Sequence, residues 1–256
     1  MSEALFTGDT ALVTGASNGI GRGIAEALAR EGVRIVGADV SAAVEAVMQA
    51  IRDAGGDAQA VVSDLARSGA AQALAADAIR RLGKVSIFVH SASPRRREED
   101  TALEVSEATW RAMLEVNLTA GFLLGQALGR HMRGAGVKGR MLYITSLHAE
   151  SPRNLPHYSA SKAGQTMLMK DLARALAPHG VRVNAIAPGA IPGGGFNAAQ
   201  NPGLLDCIPM GRMGTPQDVA GMALAVLSER FGAYVTGTTI AVDGGIALHN
   251  WIERRG

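Results

Sequence analysis

Seven short apolar or β-branched runs recur along the chain, at 11–14, 34–38, 58–62, 86–90, 140–145, 182–186 and 239–242. Six longer amphipathic stretches lie between them, at 20–30, 42–53, 70–82, 107–132, 159–177 and 216–228. This alternation limits the fold more than any other feature. A run that is apolar on successive residues buries both faces of a strand, as happens where helices cover a sheet on both sides. Alternating strands and helices are joined by right-handed crossovers, so the strands run parallel. The pattern predicts an α/β chain, with a single doubly wound parallel sheet of about seven strands and helices on both faces. The Pro/Gly-rich stretch 188–202 is followed by only one helix and one strand, too little for a second domain. We read 1–256 as one domain with a substrate loop near 188–215. That loop falls at the carboxyl edge of the sheet, where such folds bind ligands.

The first strand-to-helix turn reads TGASNGIG, residues 14–21. Gly loses more freedom on folding than any other residue, so a cluster of three needs a reason. Backbone N–H groups and the positive end of a helix favour a pyrophosphate at such a turn. The spacing Gly15-x-x-x-Gly19-x-Gly21 departs from the G-x-G-x-x-G dinucleotide fingerprint, so its weight comes from context. Asp39 closes the second run. A carboxylate there accepts hydrogen bonds from a ribose diol and repels a 2′-phosphate, so the expected cofactor is NAD in preference to NADP. Neither Asn18 nor Val40 supplies the cation that a 2′-phosphate needs. The competing job for Asp39 is to cap the next helix, which Ser41 is placed to do.

HYSASKAG, residues 157–164, sets Tyr158 and Lys162 four apart, on one face of a helix. A free Tyr, with a pKa of about 10, is a poor base at neutral pH. A neighbouring ammonium and a positively charged nicotinamide favour the phenolate, which makes the pair a usable general acid/base. Ser146, at the end of the fifth run, is placed to hold a substrate oxygen beside the phenol. Asn117 falls in the middle of a helical stretch, where Asn is a poor helix former. A buried Asn there needs hydrogen-bond partners, or marks a bend with a function.

Together these residues resemble the short-chain dehydrogenases/reductases. The resemblance runs from Gly15 to Gly245 with its elements in the family's order: TGASNGIG, Asp64 in VVSDLA, Asn117 in VNL, Ser146, Tyr158-x-x-x-Lys162, Pro188-Gly189 and Val242-Asp243-Gly244-Gly245. It implies a Rossmann fold and hydride transfer between nicotinamide C4 and a substrate carbon. Tyr158 would then move the proton, Lys162 would lower the tyrosine pKa and bind the nicotinamide ribose, Ser146 would orient the substrate, and Asn117 would hold a water in a proton relay. The same resemblance assigns Gly15, Ser17, Asn18, Gly19, Ile20, Gly21 and Ala92 to the cofactor site. It sets Asp64 and Leu65 beside the adenine, and Pro188, Gly189 and Ile191 beside the nicotinamide. It also implies a homotetramer, with the helices at 107–132 and after Tyr158 packing across subunits. In the C-terminal tail, Trp251 and Ile252 are expected to touch a neighbouring subunit.

Three departures stand out. The family's Asn-Asn-Ala-Gly is His90-Ser91-Ala92-Ser93 here, so the hydrogen bonds of those Asn residues are not carried over, and Ser93 narrows the pocket beside the nicotinamide. The Thr that often follows Pro-Gly is replaced by Gly193. The Ser146-to-Tyr158 spacing is about one residue short, which bears on specificity more than on chemistry.

The substrate is expected to be a small secondary alcohol or ketone, such as a sugar, polyol or hydroxy acid. Candidate contacts are Ser93, Ser146, His148 and Phe196. The stretch around His148 is similar to that of bacterial glucose 1-dehydrogenases; the alternative leaves His148 on the loop surface. A 3-oxoacyl thioester (acyl-carrier-protein) reductase is a second reading, against which Asp39 weighs. An NAD(H)-binding sensor without turnover is a third, and it would have no need of Asn117, Ser146, Tyr158 and Lys162 together.

Composition enters where it excludes partners. Hydrophobic residues make up 47%, against disorder, and the formal net charge is only +2. Arg95-Arg96-Arg97 is followed at once by Glu98-Glu99-Asp100, so we read the run as a solvated loop with Arg95 on the rim; the alternative has Arg95 meet an anionic substrate. Only 4% of residues are aromatic, and none interleave with a basic stripe, so no nucleic-acid surface is expected. No metal site is expected. No apolar run is long enough for a bilayer, no signal peptide opens the sequence, and Cys207 is the single cysteine. A cytoplasmic location fits these features.

Overall fold

The computed structural model describes residues 5–193 and 203–248. The strands are β1 (Thr10–Thr14), β2 (Arg34–Asp39), β3 (Ala58–Val62), β4 (Ile87–His90), β5 (Arg140–Ile144), β6 (Arg182–Pro188) and β7 (Thr239–Val242). They form one sheet in the order β3-β2-β1-β4-β5-β6-β7, and every neighbouring pair is parallel. The helices are α1 (Gly19–Arg30), α2 (Ala43–Asp53), α3 (Ala70–Leu82), α4 (Glu107–Leu114), α5 (Ala120–Gly134), α6 (Pro156–Leu176), α7 (Pro216–Leu227) and a short α8 (Glu229–Gly232).

Successive strand residues face opposite sides, and both sides are apolar. Ala11 and Val13 of β1 join a core with α1, α2 and α7, while Leu12 joins a second core with α3, α5 and α6. That is why the runs read as continuously hydrophobic. Phe88 and Tyr143 meet edge-to-face in the second core, with ring centroids 5.9 Å apart. After β3 the chain crosses back over β1 to lay down β4 on its far side. The crevice beyond the carboxyl ends of β1 and β4 is therefore the switch point at which such sheets take ligands.

Two expectations needed correction. The stretch at 107–132 is not one α-helix. Between α4 and α5 the chain makes a π turn over Glu115–Thr119, with Asn117 at its middle. An extra residue in the ladder frees carbonyls that an α-helix would occupy, and other groups claim them here. The helix after Tyr158 starts earlier than expected, at Pro156, because Pro suits a first helical position. Tyr158 therefore sits in its first turn. Thr215 caps α7 through a reciprocal pair: Asp218 N donates to Thr215 Oγ1 at 3.2 Å and Thr215 N donates to Asp218 Oδ2 at 2.7 Å.

At the amino edge, Arg140 and Arg182 begin β5 and β6 and are both buried. Arg140 grips Asp9 with two nitrogens, at 2.6 and 3.1 Å, and donates to Leu227 O at 2.9 Å. Arg182 donates to the carbonyls of Val226, Leu227 and Ser228 and to Glu229 Oε1. The two arginines satisfy the orphan carbonyls at the end of α7 and pin that helix to the sheet. No described helix is long and apolar enough to cross a membrane.

Candidate active site

A cavity of about 940 Å³ lies along the carboxyl edge of the sheet. Gly15, Ser17, Asn18, Gly19, Ile20, Gly21, Asp39, Asp64, Leu65, Ala92, Pro188, Gly189 and Ile191 all line it, as do Ser93, Ser146, His148, Tyr158 and Lys162. Asn117 stands behind its wall rather than in it. Phe196 lies outside the described residues, as do Trp251 and Ile252.

The turn after β1 is shaped for close approach. A Cβ on Gly15 would lie 2.7 Å from Ala92 N, and one on Gly21 would collide with the Gly15 carbonyl. Gly15 and Gly19 take φ of +69° and +54°, and the space beside Gly19 is open. Asn18 precedes α1 without a side-chain cap, and the first turn carries no acidic residue. The orphan N–H groups of α1 thus face the cavity without competition from a carboxylate, as a pyrophosphate requires. The residues present fit a dinucleotide.

Asp39 does not cap α2. Its Oδ2 accepts from Ser17 N at 3.1 Å and its Oδ1 from Ser41 N at 2.9 Å, while Ser41 Oγ accepts from Ala43 N. The carboxylate ties the Gly-rich turn to the end of β2, and its flanking residues Ser17, Asn18, Val40 and Ser41 are all neutral.

Across the cavity, Lys162 is buried and donates to Ile144 O at 2.7 Å and Gln165 Oε1 at 3.3 Å. Its Nζ lies 5.7 Å from the Tyr158 ring centroid. Burial, and then the nearby Arg96 charge, pull the Lys162 pKa down to about 7. Ser146 Oγ accepts from His148 N at 3.2 Å, which turns the serine into the cavity beside Tyr158.

The π turn joins this group from behind. Asn117 Nδ2 donates to Ser161 Oγ at 2.9 Å, and Ser161 Oγ donates to Tyr158 O at 2.7 Å. Gln165 Nε2 donates to Asn117 O at 3.1 Å. The Asn117 Oδ1 atom is buried and finds no protein donor among the described residues. Buried polar atoms are seldom left so.

His90, the first residue of the altered motif, is fully hydrogen-bonded. Its Nε2 faces Val116 O at 3.2 Å and Asn117 O at 3.3 Å, both acceptors, so Nε2 carries the proton. Nδ1 then accepts from Thr14 Oγ1 at 3.0 Å, and that oxygen in turn accepts from Ser91 N and Ala92 N. One neutral imidazole thus ties β1, the turn after β4 and the π turn together. Burial holds its pKa down at about 4.

The rim is more ordered than the sequence alone implies. His148 is half-buried: its Nδ1 lies 2.9 Å from Ser151 O and its ring meets Tyr158 edge-on at 6.3 Å. Burial lowers its pKa below the ordinary value. The arginine run is not a uniformly solvated loop. Arg95 and Arg97 are exposed, but Arg96 turns inward, its guanidinium 4.4 Å from the Tyr158 ring centroid. Sequence reasoning also missed Gln165 and Ser161. Their signal was available: two polar side chains on the buried face of a helix, three residues after Lys162 and after Tyr158 respectively. Nothing comparable marked Arg96.

Known proteins share this architecture. A family model described as enoyl-(acyl carrier protein) reductase matches residues 15–247. Glucose 1-dehydrogenase 2 of Bacillus subtilis is 37% identical, covering 95% of this chain and 96% of that protein. The 2-dehydro-3-deoxy-D-gluconate 5-dehydrogenase of Escherichia coli is 34% identical over 99% of both. A crystal structure of a putative NAD(P)-dependent gluconate 5-dehydrogenase from Beutenbergia cavernae, with bound NADP at low occupancy, superposes with a TM-score of 0.89 at 36% identity, covering 96% of this chain and 100% of that one. Alike in fold and over nearly its whole length, the chain belongs to the NAD(P)-dependent short-chain dehydrogenases/reductases, oxidoreductases that act on CH–OH groups and their ketones.

Proposed function

We propose that the chain oxidises a small polar secondary alcohol, a sugar, polyol or hydroxy acid, or reduces the matching ketone, with NAD(H) as the preferred cofactor. The observation that carries this reading is the convergence of Tyr158, Ser146 and Lys162 on one cavity that the Gly-rich turn also lines. The bound nicotinamide supplies the hydride acceptor or donor. Ser146 holds the substrate oxygen, and Tyr158 takes its proton during oxidation or returns it during reduction. Lys162, with a pKa near 7, gives up and regains a proton at neutral pH, which suits a relay leading away from the phenol. The unpartnered Asn117 Oδ1 supports a water in that relay.

Preference for NAD rests on Asp39 and its neutral flanks, which offer a 2′-phosphate no cation. Asp39 also weighs against the acyl thioester reductase. A small polar substrate agrees with the printed activities of the glucose and 2-dehydro-3-deoxy-D-gluconate dehydrogenases among the relatives. A cytoplasmic homotetramer belongs to the same reading. Phe122 on α5 and Met167 on α6 leave apolar surface exposed, which a subunit interface would cover.

The test is a cofactor-reduction panel. NAD and NADP are offered separately with sugars, polyols, hydroxy acids, hydroxysteroids and 3-hydroxyacyl thioesters. NAD-linked turnover of one polar class is expected, and NADP-linked turnover of thioesters would overturn the reading. On the active substrate, Tyr158→Phe should cost about 10²–10⁴-fold in kcat while NADH still binds. A variant that keeps its kcat removes Tyr158 from the acid/base role.

A further inference from the structure

Charge is distributed unevenly along the cavity. The carboxylates among its described lining residues are Asp39, which ends β2, and Asp64, which follows β3. The sheet order sets those strands at one side of the switch point. On the other side, around Tyr158 and Ser146, the charged lining residues are Arg95, Arg96, Arg153 and Lys162, with no acid among them.

Arg96 is the most telling of these. Half-buried, it sits over the Tyr158 ring with its guanidinium carbon 4.4 Å from the ring centroid. The nearby acid Glu98 is engaged by Arg153 at 2.9 Å. Among the described residues, no hydrogen-bond acceptor or carboxylate takes any of the five N–H donors of Arg96. A guanidinium withdrawn from bulk water, oriented by an aromatic face and left with its donor fork open is prepared for a planar anion. Its charge lies close enough to buried Lys162 to lower that lysine's pKa, and among the described residues no carboxylate is paired with either group.

We propose that the substrate carries a carboxylate and that Arg96 receives it, so that the chain acts on a compact hydroxy or keto acid, sugar acids included. This rests on the dehydrogenase reading above, in which the reacting oxygen meets Tyr158 and Ser146. The stacking of Arg96 on the tyrosine sets the carboxylate a few bonds from the reacting carbon. Arg96 is a specificity residue here, and Arg153 and Arg95 extend the positive rim.

The experiment pairs acids with their neutral counterparts. Threonate and gluconate are compared with threitol, glucitol and glucitol 6-phosphate, using the wild type, Arg96→Gln and Arg96→Lys. Both NAD-linked turnover and calorimetric binding to the NADH complex are measured. In the wild type the acids should exceed the neutral polyols by about 30-fold or more in kcat/KM. Arg96→Gln should collapse that ratio, mainly through KM, and Arg96→Lys should retain part of it. Turnover of neutral polyols or of the phosphate in preference to the acids overturns the proposal and leaves the dehydrogenase reading standing. Acids that bind in an Arg96-dependent way but are never oxidised uphold it and overturn that reading instead. Acids that neither bind nor turn over, or an acid-to-polyol ratio untouched by Arg96→Gln, overturn the proposal.

Discussion

Arg140 and Arg182 enter the sheet at its amino edge, and Lys162 and His90 stand at its carboxyl edge. All four side chains are buried, at 6%, 8%, 3% and 0% exposure. The arginines are met by Asp9 and Glu229 and by the last carbonyls of α7. Among the described residues, Lys162 and His90 are met by neutral hydrogen-bond partners alone: a backbone carbonyl and an amide for one, a hydroxyl and two carbonyls for the other. Their pKa values fall accordingly, to about 7 and about 4. A buried cation with its anion holds two elements together. A buried cation without one is poised to lose its proton, which serves chemistry rather than stability.

The sharpest way to break this comparison is to replace one cation at each edge with Met. Lys162→Met should lower turnover by about 10²-fold or more while the melting temperature holds or rises, because an uncompensated charge is gone. Arg140→Met strands Asp9 and should cost about 3–5 kcal/mol of stability by urea unfolding. Equal losses of stability in the two variants would erase the distinction.

His90 sharpens it through pH. The unfolded chain binds this proton with an ordinary value of 6.5 and the folded chain only near 4. Between those values the unfolded state holds more protons, so stability falls as pH drops from about 6.5 toward about 4. By pH 5 the loss should reach about 2 kcal/mol. His90→Asn should remove that part of the slope, and an unaltered slope in urea midpoints would place the acid sensitivity elsewhere.

The smallest effect concerns an anion at the same edge. Asp39 accepts two backbone N–H groups and meets no cation among the described residues. Asp39→Ala should shift the ratio of kcat/KM for NAD over NADP by about tenfold toward NADP. An unchanged ratio would reduce Asp39 to a tie between the Gly-rich turn and β2.

What the sequence disclosed follows from which signals are local. Continuous apolar runs located all seven strands to within two residues, since burial on both faces leaves no other pattern. The Gly-rich turn and the Tyr158–Lys162 spacing were legible because each is fixed by its own backbone. The π turn was not. No Gly or Pro interrupts the stretch there, and the Asn117 carbonyl finds partners 27 and 48 residues away, at His90 and Gln165. The inward turn of Arg96 was hidden for a related reason. Its neighbours in sequence include acids that cancel its charge on paper, whereas in space Glu98 belongs to Arg153 and Arg96 belongs to the tyrosine. His90 was visible as a departure, but its bridging role depends on Thr14, which lies 76 residues earlier.

The π turn between α4 and α5 also separates what the chain needs to fold from what it needs to work. A π turn holds one residue more than the helix requires, and the turn absorbs the rotation of about 100° that an added residue would impose. Met113 before it and Met132 after it therefore keep their buried faces. Losing one residue there would close the ladder over the carbonyls that His90 and Gln165 use, with the packing on either side left in phase. The site is in this sense a supernumerary residue lodged in an otherwise complete helix, to be gained or shed by a change in length that no change of side chain can imitate.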